Sequence, residues 1–172
     1  MGLADELDYG TSDANAVQKA VQAVASTPPG AWTLSKFLHV VDKGTWAASQ
    51  GRGSATAVLT GLPVIMVTTT GAQTGKARTM PLVGIPAGDD LAVIAGNWGG
   101  AEAPAWSHNL DANPECAVSW KGTTVNVNAR RAADEEADQI FEAGGTMYPG
   151  YAKYRTRAAH RDLKVYVLES AG

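Results

Sequence analysis

From Pro63 onward the spacing of apolar residues changes from helical to alternating, and that change limits the folds open to the chain. Strands are predicted at Val64–Thr70, Thr79–Ile85, Leu91–Ala95, Cys116–Trp120, Thr123–Ala129 and Leu163–Leu168. Gly88-Asp89-Asp90 and Lys121-Gly122 mark tight returns between them. Six short strands joined this way leave unpaired edges unless the sheet closes, so an antiparallel barrel is expected. Trp106–Ala112 reads as a helix stopped by Asn113-Pro114, because the residue before a proline is held out of the helical region. Asp134–Gly144 reads as another, with Asp134, Glu135 and Glu136 at its positive end and Gly144-Gly145 terminating it.

Upstream, Met1–Asn15 is polar and acidic and reads as a loosely held start. Ala16–Ser26 carries Val17, Ala20, Val21 and Val24 at helical spacing and is cut off by Thr27-Pro28-Pro29-Gly30. Leu34, Phe37, Leu38, Val41 and Trp46 form a second helical stripe, for the core or for a lid on the barrel, and Gly51-Arg52-Gly53-Ser54 ends it as a flexible connection. The expected class is α+β: a six-stranded antiparallel barrel with N-terminal helices and short helices between strands. Residues 1–62 form a tail and helical decoration and residues 63–172 the barrel, together one structural domain, for which 172 residues supply enough interior for a single core.

Several functions are disfavoured at once. A net charge of −3 provides no field to gather nucleic acid or an anionic membrane, so any anion site must be local. Small side chains and few cations argue against an interfacial role for Ala16–Ser26, and no apolar run approaches the ~20 residues of a membrane span. The single cysteine, Cys116, lies in an apolar strand and suits burial in a reducing, cytoplasmic setting. His39, His108 and His160 stand apart from one another without a carboxylate or thiol at ligand spacing, so no metal site is expected. Ser107-His108 lacks the Gly-x-Ser-x-Gly elbow of a hydrolase.

Chemistry concentrates between Thr68 and Leu82, which reads Thr-Thr-Thr-Gly-Ala-Gln-Thr-Gly-Lys-Ala-Arg-Thr-Met-Pro-Leu. Gly71 and Gly75 let the backbone approach a ligand closely, while the Thr hydroxyls, Lys76 and Arg78 can converge on an anion such as phosphate or carboxylate. It is not a nucleotide P-loop, because three residues separate the glycines and Ala77 stands where a magnesium-binding hydroxyl is needed. The residues alone leave open whether the turn binds an anion or merely solvates its cations.

Other unusual pieces follow in order: Gly99-Gly100-Ala101-Glu102, Pro104-Ala105-Trp106-x-x-Asn109-Leu110, Ala112-Asn113-Pro114, Ala129-Arg130, and Thr146-Met147-Tyr148-Pro149-x-Tyr151-x-x-Tyr154. With the turn, they make the stretch from Pro63 to Glu169 resemble the deazaflavin-dependent nitroreductase family, F420-dependent reductases of the split β-barrel type. The resemblance implies that Gln73, Thr74, Lys76 and Arg78 hold the phosphate and oligoglutamate tail of coenzyme F420, with Met80 and Pro81 on the strand returning beside it. Ala95, Asn97, Trp98, Gly99 and Gly100 match the strand end and loop that meet the coenzyme. Asn97 and Trp98 stand where a serine and a lysine are expected in relatives, so a hydrogen-bonding amide and a stacking surface replace a hydroxyl and a cation. Ala105, Trp106 and Asn109 match a short helix beside the tricyclic ring; by themselves, Trp106 also fits a core anchor and Asn109 a helix-packing residue. Tyr148, Tyr151 and Tyr154 match the wall of the substrate pocket, or form a stripe covering the barrel mouth.

The activity so implied is hydride transfer from the reduced deazaflavin to a flat, electron-poor acceptor: a quinone, an enone or a nitroaromatic. Tyr148 is the candidate proton donor, and Asn97 the candidate group stabilising developing negative charge. Alternatives are an FMN-dependent oxidoreductase of the same barrel type, or a non-catalytic protein that binds F420 or another small ligand. The expected partner is a small-molecule acceptor, with no nucleic acid and with homodimerisation left open.

Overall fold

The computed structural model describes residues 1–11, 16–25, 27, 61–97, 102–151, 153 and 163–172. Among these residues, four helices, α1 (Leu3–Glu6), α2 (Ala16–Ala25), α3 (Ala105–Ala112) and α4 (Asp134–Met147), accompany seven strands. The strands are β1 (Val64–Thr70), β2 (Ala77–Val83), β3 (Ile85–Ala87), β4 (Asp90–Ile94), β5 (Glu115–Trp120), β6 (Thr123–Arg131) and β7 (Val165–Ser170). All pair antiparallel in one sheet of order β2-β1-β5-β6-β7-β4-β3. Its two outermost strands, β2 and β3, are one run of chain interrupted only at Gly84. The sheet therefore curls until its edges meet at a corner, the split barrel of an α+β fold. The expected six strands become seven because the second breaks there.

The reason for the break is local crowding. Gly84 donates its N–H to Pro63 O at 3.0 Å, and a Cβ at Gly84 would stand 3.0 Å from Tyr9 Oη and 3.3 Å from Ile65 Cγ2. Strand ends also shift by a few residues: β6 runs on to Arg131, and β7 begins at Val165 rather than at Leu163. The β5–β6 hairpin turns through Lys121 and Gly122, both at positive φ (45° and 93°), as a two-residue return requires.

Alternation along the strands builds two cores. Ile65, Val67, Leu91, Val93, Val118, Val127, Tyr166 and Leu168 fill the barrel interior. Their neighbours Val64, Ala92, Ile94, Val165 and Val167 face outward and are covered by Ile140 and Phe141 of α4 with Tyr148 and Tyr151. The interior core is closed at both ends. At one, α3 inserts Trp106 and Leu110; at the other, where β4 starts and β5 ends, Leu3 of α1 and Leu7, which caps its C-terminus, enter the core.

The N-terminal residues thus depart from a loosely held start. Leu3 and Leu7 are fully buried, Leu3 N–H donates to Asp90 Oδ1 at 2.9 Å, and Tyr9 Oη donates to Gly84 O at 2.6 Å. Alternation cannot reveal this segment, because it contributes only two apolar anchors to a core built elsewhere. A second correction concerns α4, which continues through Gly144-Gly145 to Met147. Gly144 is an interior helical residue because a Cβ there would lie 2.9 Å from Ile85 Cδ1 and 3.1 Å from Tyr151 Cδ2. The helix stops at Tyr148, which precedes Pro149. The stripe from Leu34 to Trp46 and the connection at 51–54 lie outside the described residues.

Candidate functional site

The β1–β2 turn, the end of β4 and helix α3 meet at the barrel end opposite α1. Within the turn, Gly71 N–H donates to Lys76 O at 2.9 Å, and Thr74 and Gly75 N–H donate back to Gly71 O. A Cβ at Gly71 would lie 2.7 Å from Thr74 Oγ1, and Gly75 has a φ of +64°, so both glycines are required by the backbone path. Gln73, Thr74, Lys76 and Arg78 are all exposed. Neither Lys76 nor Arg78 is paired with a carboxylate among the described residues. The turn is thus rigid in its backbone and carries two available cations. That chemistry fits an anionic, phosphate- and carboxylate-bearing tail.

Helix α3 braces this turn. Asn109 Oδ1 accepts from Ala72 N–H at 3.0 Å, and Asn109 Nδ2 donates to Thr69 Oγ1 at 3.0 Å. Thr69 in turn points its hydroxyl at Arg78 O, 3.4 Å away. The amide of Asn109, 9% exposed, therefore faces the turn and β1. Trp106, 3% exposed, meets Tyr166 edge to face with centroids 5.7 Å apart, which puts its indole among the interior core residues. Ala105 opens the same helix and is exposed.

Met80 and Pro81 lie on opposite faces of β2. Met80 pairs with Val67 and packs on the interior core, while Pro81 pairs with Met66. Ala95 is fully buried where β4 ends, and Asn97 follows at a φ of +42°, the left-handed region that asparagine tolerates better than most residues. Its Nδ2 donates to Glu102 O at 2.9 Å, tying the strand end to the approach to α3. Trp98, Gly99 and Gly100 lie outside the described residues, as does Tyr154.

Tyr148 and Tyr151 are placed in the outer core and not at the turn. Their rings meet edge to face at 5.6 Å, and a Cβ on Gly150 would come within 2.1 Å of the Tyr148 ring. Burial raises the Tyr151 phenol above its ordinary range, with the neighbouring Tyr148 adding to the effect.

The Thr hydroxyls of the stretch from Thr68 to Leu82 are expected to turn to an anion, but that of Thr69 is buried between Asn109 and Arg78 O; sequence reasoning singles out neither Tyr166 nor Asp111. Tyr166 Oη lies 2.7 Å from Asp111 Oδ1 and 2.9 Å from Ser107 O, and Lys164 binds the same carboxylate, so α3 is fastened to β7 as well as to the turn. Burial alone would raise the Asp111 carboxyl; hydrogen bonds from Lys164 and Tyr166 outweigh it and hold the carboxyl below its usual value. A tyrosine at an inward strand position was the available signal, since its hydroxyl must find a partner inside. Among the described residues there is no group of three or more potential metal ligands, and no helix is long and apolar enough to cross a membrane.

Comparison with known proteins identifies the family. The family model described as F420H(2)-dependent quinone reductase matches residues 42–170. The F420H(2)-dependent quinone reductase Rv1261c of Mycobacterium tuberculosis is 32% identical over 111 residues, covering 62% of this chain and 72% of the relative. Among solved structures, an F420-H2 dependent reductase (FDR-A) aligns at a TM-score of 0.57 and 31% identity over 62% of this chain and 94% of its own. A structure described as a domain-swapped dimer aligns at 0.60 and 27% identity over 82% of this chain and 99% of its own. The chain belongs to the F420H(2)-dependent quinone reductase family, and is an F420-dependent reductase whose cofactor is the reduced coenzyme.

Proposed function

We propose that this protein transfers a hydride from reduced F420 to a flat, electron-poor acceptor, with a quinone as the first candidate and enones and nitroaromatics as related ones. The observation that carries the reading is the hydrogen-bonded, exposed Gly71–Gly75 turn followed by two cations, Lys76 and Arg78, that pair with no carboxylate among the described residues. FMN ends in one phosphate, whereas the F420 tail continues into glutamates, and two cations suit the longer charge run.

When bound, the reduced deazaflavin supplies the hydride; the chain supplies binding, orientation and a proton. In this reading Gln73, Thr74, Lys76 and Arg78 hold the tail, and Met80 and Pro81 flank it. Ala95, Asn97, Trp98, Gly99 and Gly100 border the coenzyme, while α3 lines it through Ala105, with Trp106 packed in the core behind that helix and the Asn109 amide turned to the β1–β2 turn. Tyr148, Tyr151 and Tyr154 line the acceptor pocket. Tyr148 gives the proton and Asn97 stabilises negative charge on the acceptor. Tyr148 is 4% exposed and packs with Tyr151 in the outer core, so a proton-donor role requires the acceptor to reach that layer.

Titration with F420 and FMN separately, followed by intrinsic fluorescence, tests the cofactor assignment. Saturable F420 binding that weakens with salt is expected, and FMN binding without F420 binding would reject it. Steady-state reduction of a naphthoquinone and a nitroaromatic then ranks the acceptors. Tyr148→Phe should lower kcat roughly 10²-fold or more if this phenol is the proton source, and unchanged turnover with every acceptor would remove that role. A homodimer in the cytoplasm is the proposed state. Its support is the fold shared with the domain-swapped structure, and a monomer mass by light scattering would exclude the dimer.

A further inference from the structure

We propose that Asn109 and Thr69 are positioning residues for the coenzyme tail, acting through the turn and not by touching the ligand. The inference rests on the reading of the turn as the tail site.

The hydrogen bonds have only one consistent direction. Ala72 N–H can only donate, so the carbonyl oxygen of the Asn109 side chain must face it, and the NH₂ group must face Thr69 Oγ1. Arg78 O can only accept, so the Thr69 hydroxyl, which accepts from Asn109, sends its proton to Arg78 O. One side chain on α3 thereby fixes the last turn of β1, the body of the loop, and the backbone of the residue bearing the guanidinium. Thr69 is 1% exposed and points into the barrel end, so it cannot itself contact a ligand. The anchor is rigid because α3 is held at its far side by Tyr166 and Lys164. Loosening either member leaves both cations present but lets the loop sample other shapes, and the ordering cost then falls on coenzyme binding.

Thr69→Val keeps the β-branched shape and removes only the hydroxyl, while Thr69→Ser keeps the hydroxyl. Binding of full-length F420 is measured beside that of a deazaflavin ring lacking the phosphate and glutamates, together with the thermal midpoint of each free protein. Thr69→Val and Asn109→Leu should each weaken full-length F420 about tenfold, from one to two lost hydrogen bonds. Both should leave the tail-less ring unaffected, and the double variant should be no weaker than the poorer single one. Thr69→Ser should restore near wild-type affinity. If Asn109→Leu does not fold, the Thr69→Val and Thr69→Ser pair carries the test.

Wild-type F420 affinity in Thr69→Val alongside weakened binding in Asn109→Leu would mean that Thr69 takes no part in holding the turn, which overturns the proposal for the pair. Equal losses for the tail-less ring, or a lowered thermal midpoint with unchanged F420 affinity, would overturn it as well. Arg78→Ala separates this idea from the reading beneath it. Unchanged F420 binding in that variant would show that the turn is not the tail site, whereas weakened binding with a silent Thr69→Val would reject the positioning role alone.

Discussion

Arg78 and Lys76 carry the same charge on the same exposed turn, yet they are not equivalent ligands. A guanidinium presents two parallel N–H groups to a carboxylate or phosphate, and an ammonium presents a single strongly hydrated point. Arg78 is also the residue whose own carbonyl receives the Thr69 hydroxyl. Arg78→Ala should therefore weaken F420 binding by about 1.5–3 kcal/mol, and Lys76→Ala by less; isothermal titration at two salt concentrations reads both. An equal loss from the two variants would show that net charge alone matters. The residue types in this turn were legible from sequence, because glycine spacing and cation placement are local properties. That an asparagine 33 positions beyond Lys76 holds the turn in shape was not, since nothing local marks a partner supplied by another element.

At the scale of elements, α1 shows how a four-residue helix can matter more than its length suggests. A helix this short has no stability of its own and exists because Leu3 and Leu7 enter the barrel core and Asp90 accepts from its first N–H. Leu7→Ala should destabilise the protein by about 2–5 kcal/mol in urea unfolding, as expected for truncating a fully buried leucine. A loss below about 0.5 kcal/mol would instead place residues 1–9 outside the cooperative fold. Gly2 makes the same point by crowding: a Cβ there would fall 2.2 Å from Asp89 O. The strands, the end of α3 and the start of α4 were readable because periodicity, Pro114 and an acidic first turn are local signals. The extension of α4 past Gly144 was not, because the need for a glycine there comes from Ile85 and Tyr151, which pack against it from elsewhere in the chain.

For the molecule as a whole, ionisable groups define a window of stability. The Asp111 carboxyl lies low because bonds from Lys164 and Tyr166 overcome its burial, and Glu136 lies low because Arg130 grips it through two oxygens at 2.7 Å. Their folded values are depressed, so their contribution is present above the ordinary carboxylate range and is lost as pH falls through it, below about 4. Burial raises the Tyr9 and Tyr166 phenols and pushes the Cys116 thiol up to about 12. These neutral groups favour the folded state until the unfolded chain begins to ionise, so stability also declines as pH rises past about 9–10. Urea midpoints should peak between these limits, and Asp111→Asn should flatten the acid side. A profile level from about pH 3 to pH 10 would contradict this assignment.

The sequence by itself determined the strand pattern, the antiparallel barrel, the glycines and cations of one turn, and the family, because alternation, turn residues and ordered motifs are written in neighbouring positions. Tertiary structure alone decided that the second strand breaks at Gly84, that the first nine residues close one end of the barrel, and that Trp106 faces Tyr166 inside the core. It also decided that the amide of Asn109 serves the turn. Each of these depends on which distant groups arrive within about 3–6 Å once the sheet curls, and closure of the sheet is a property of all its strands together.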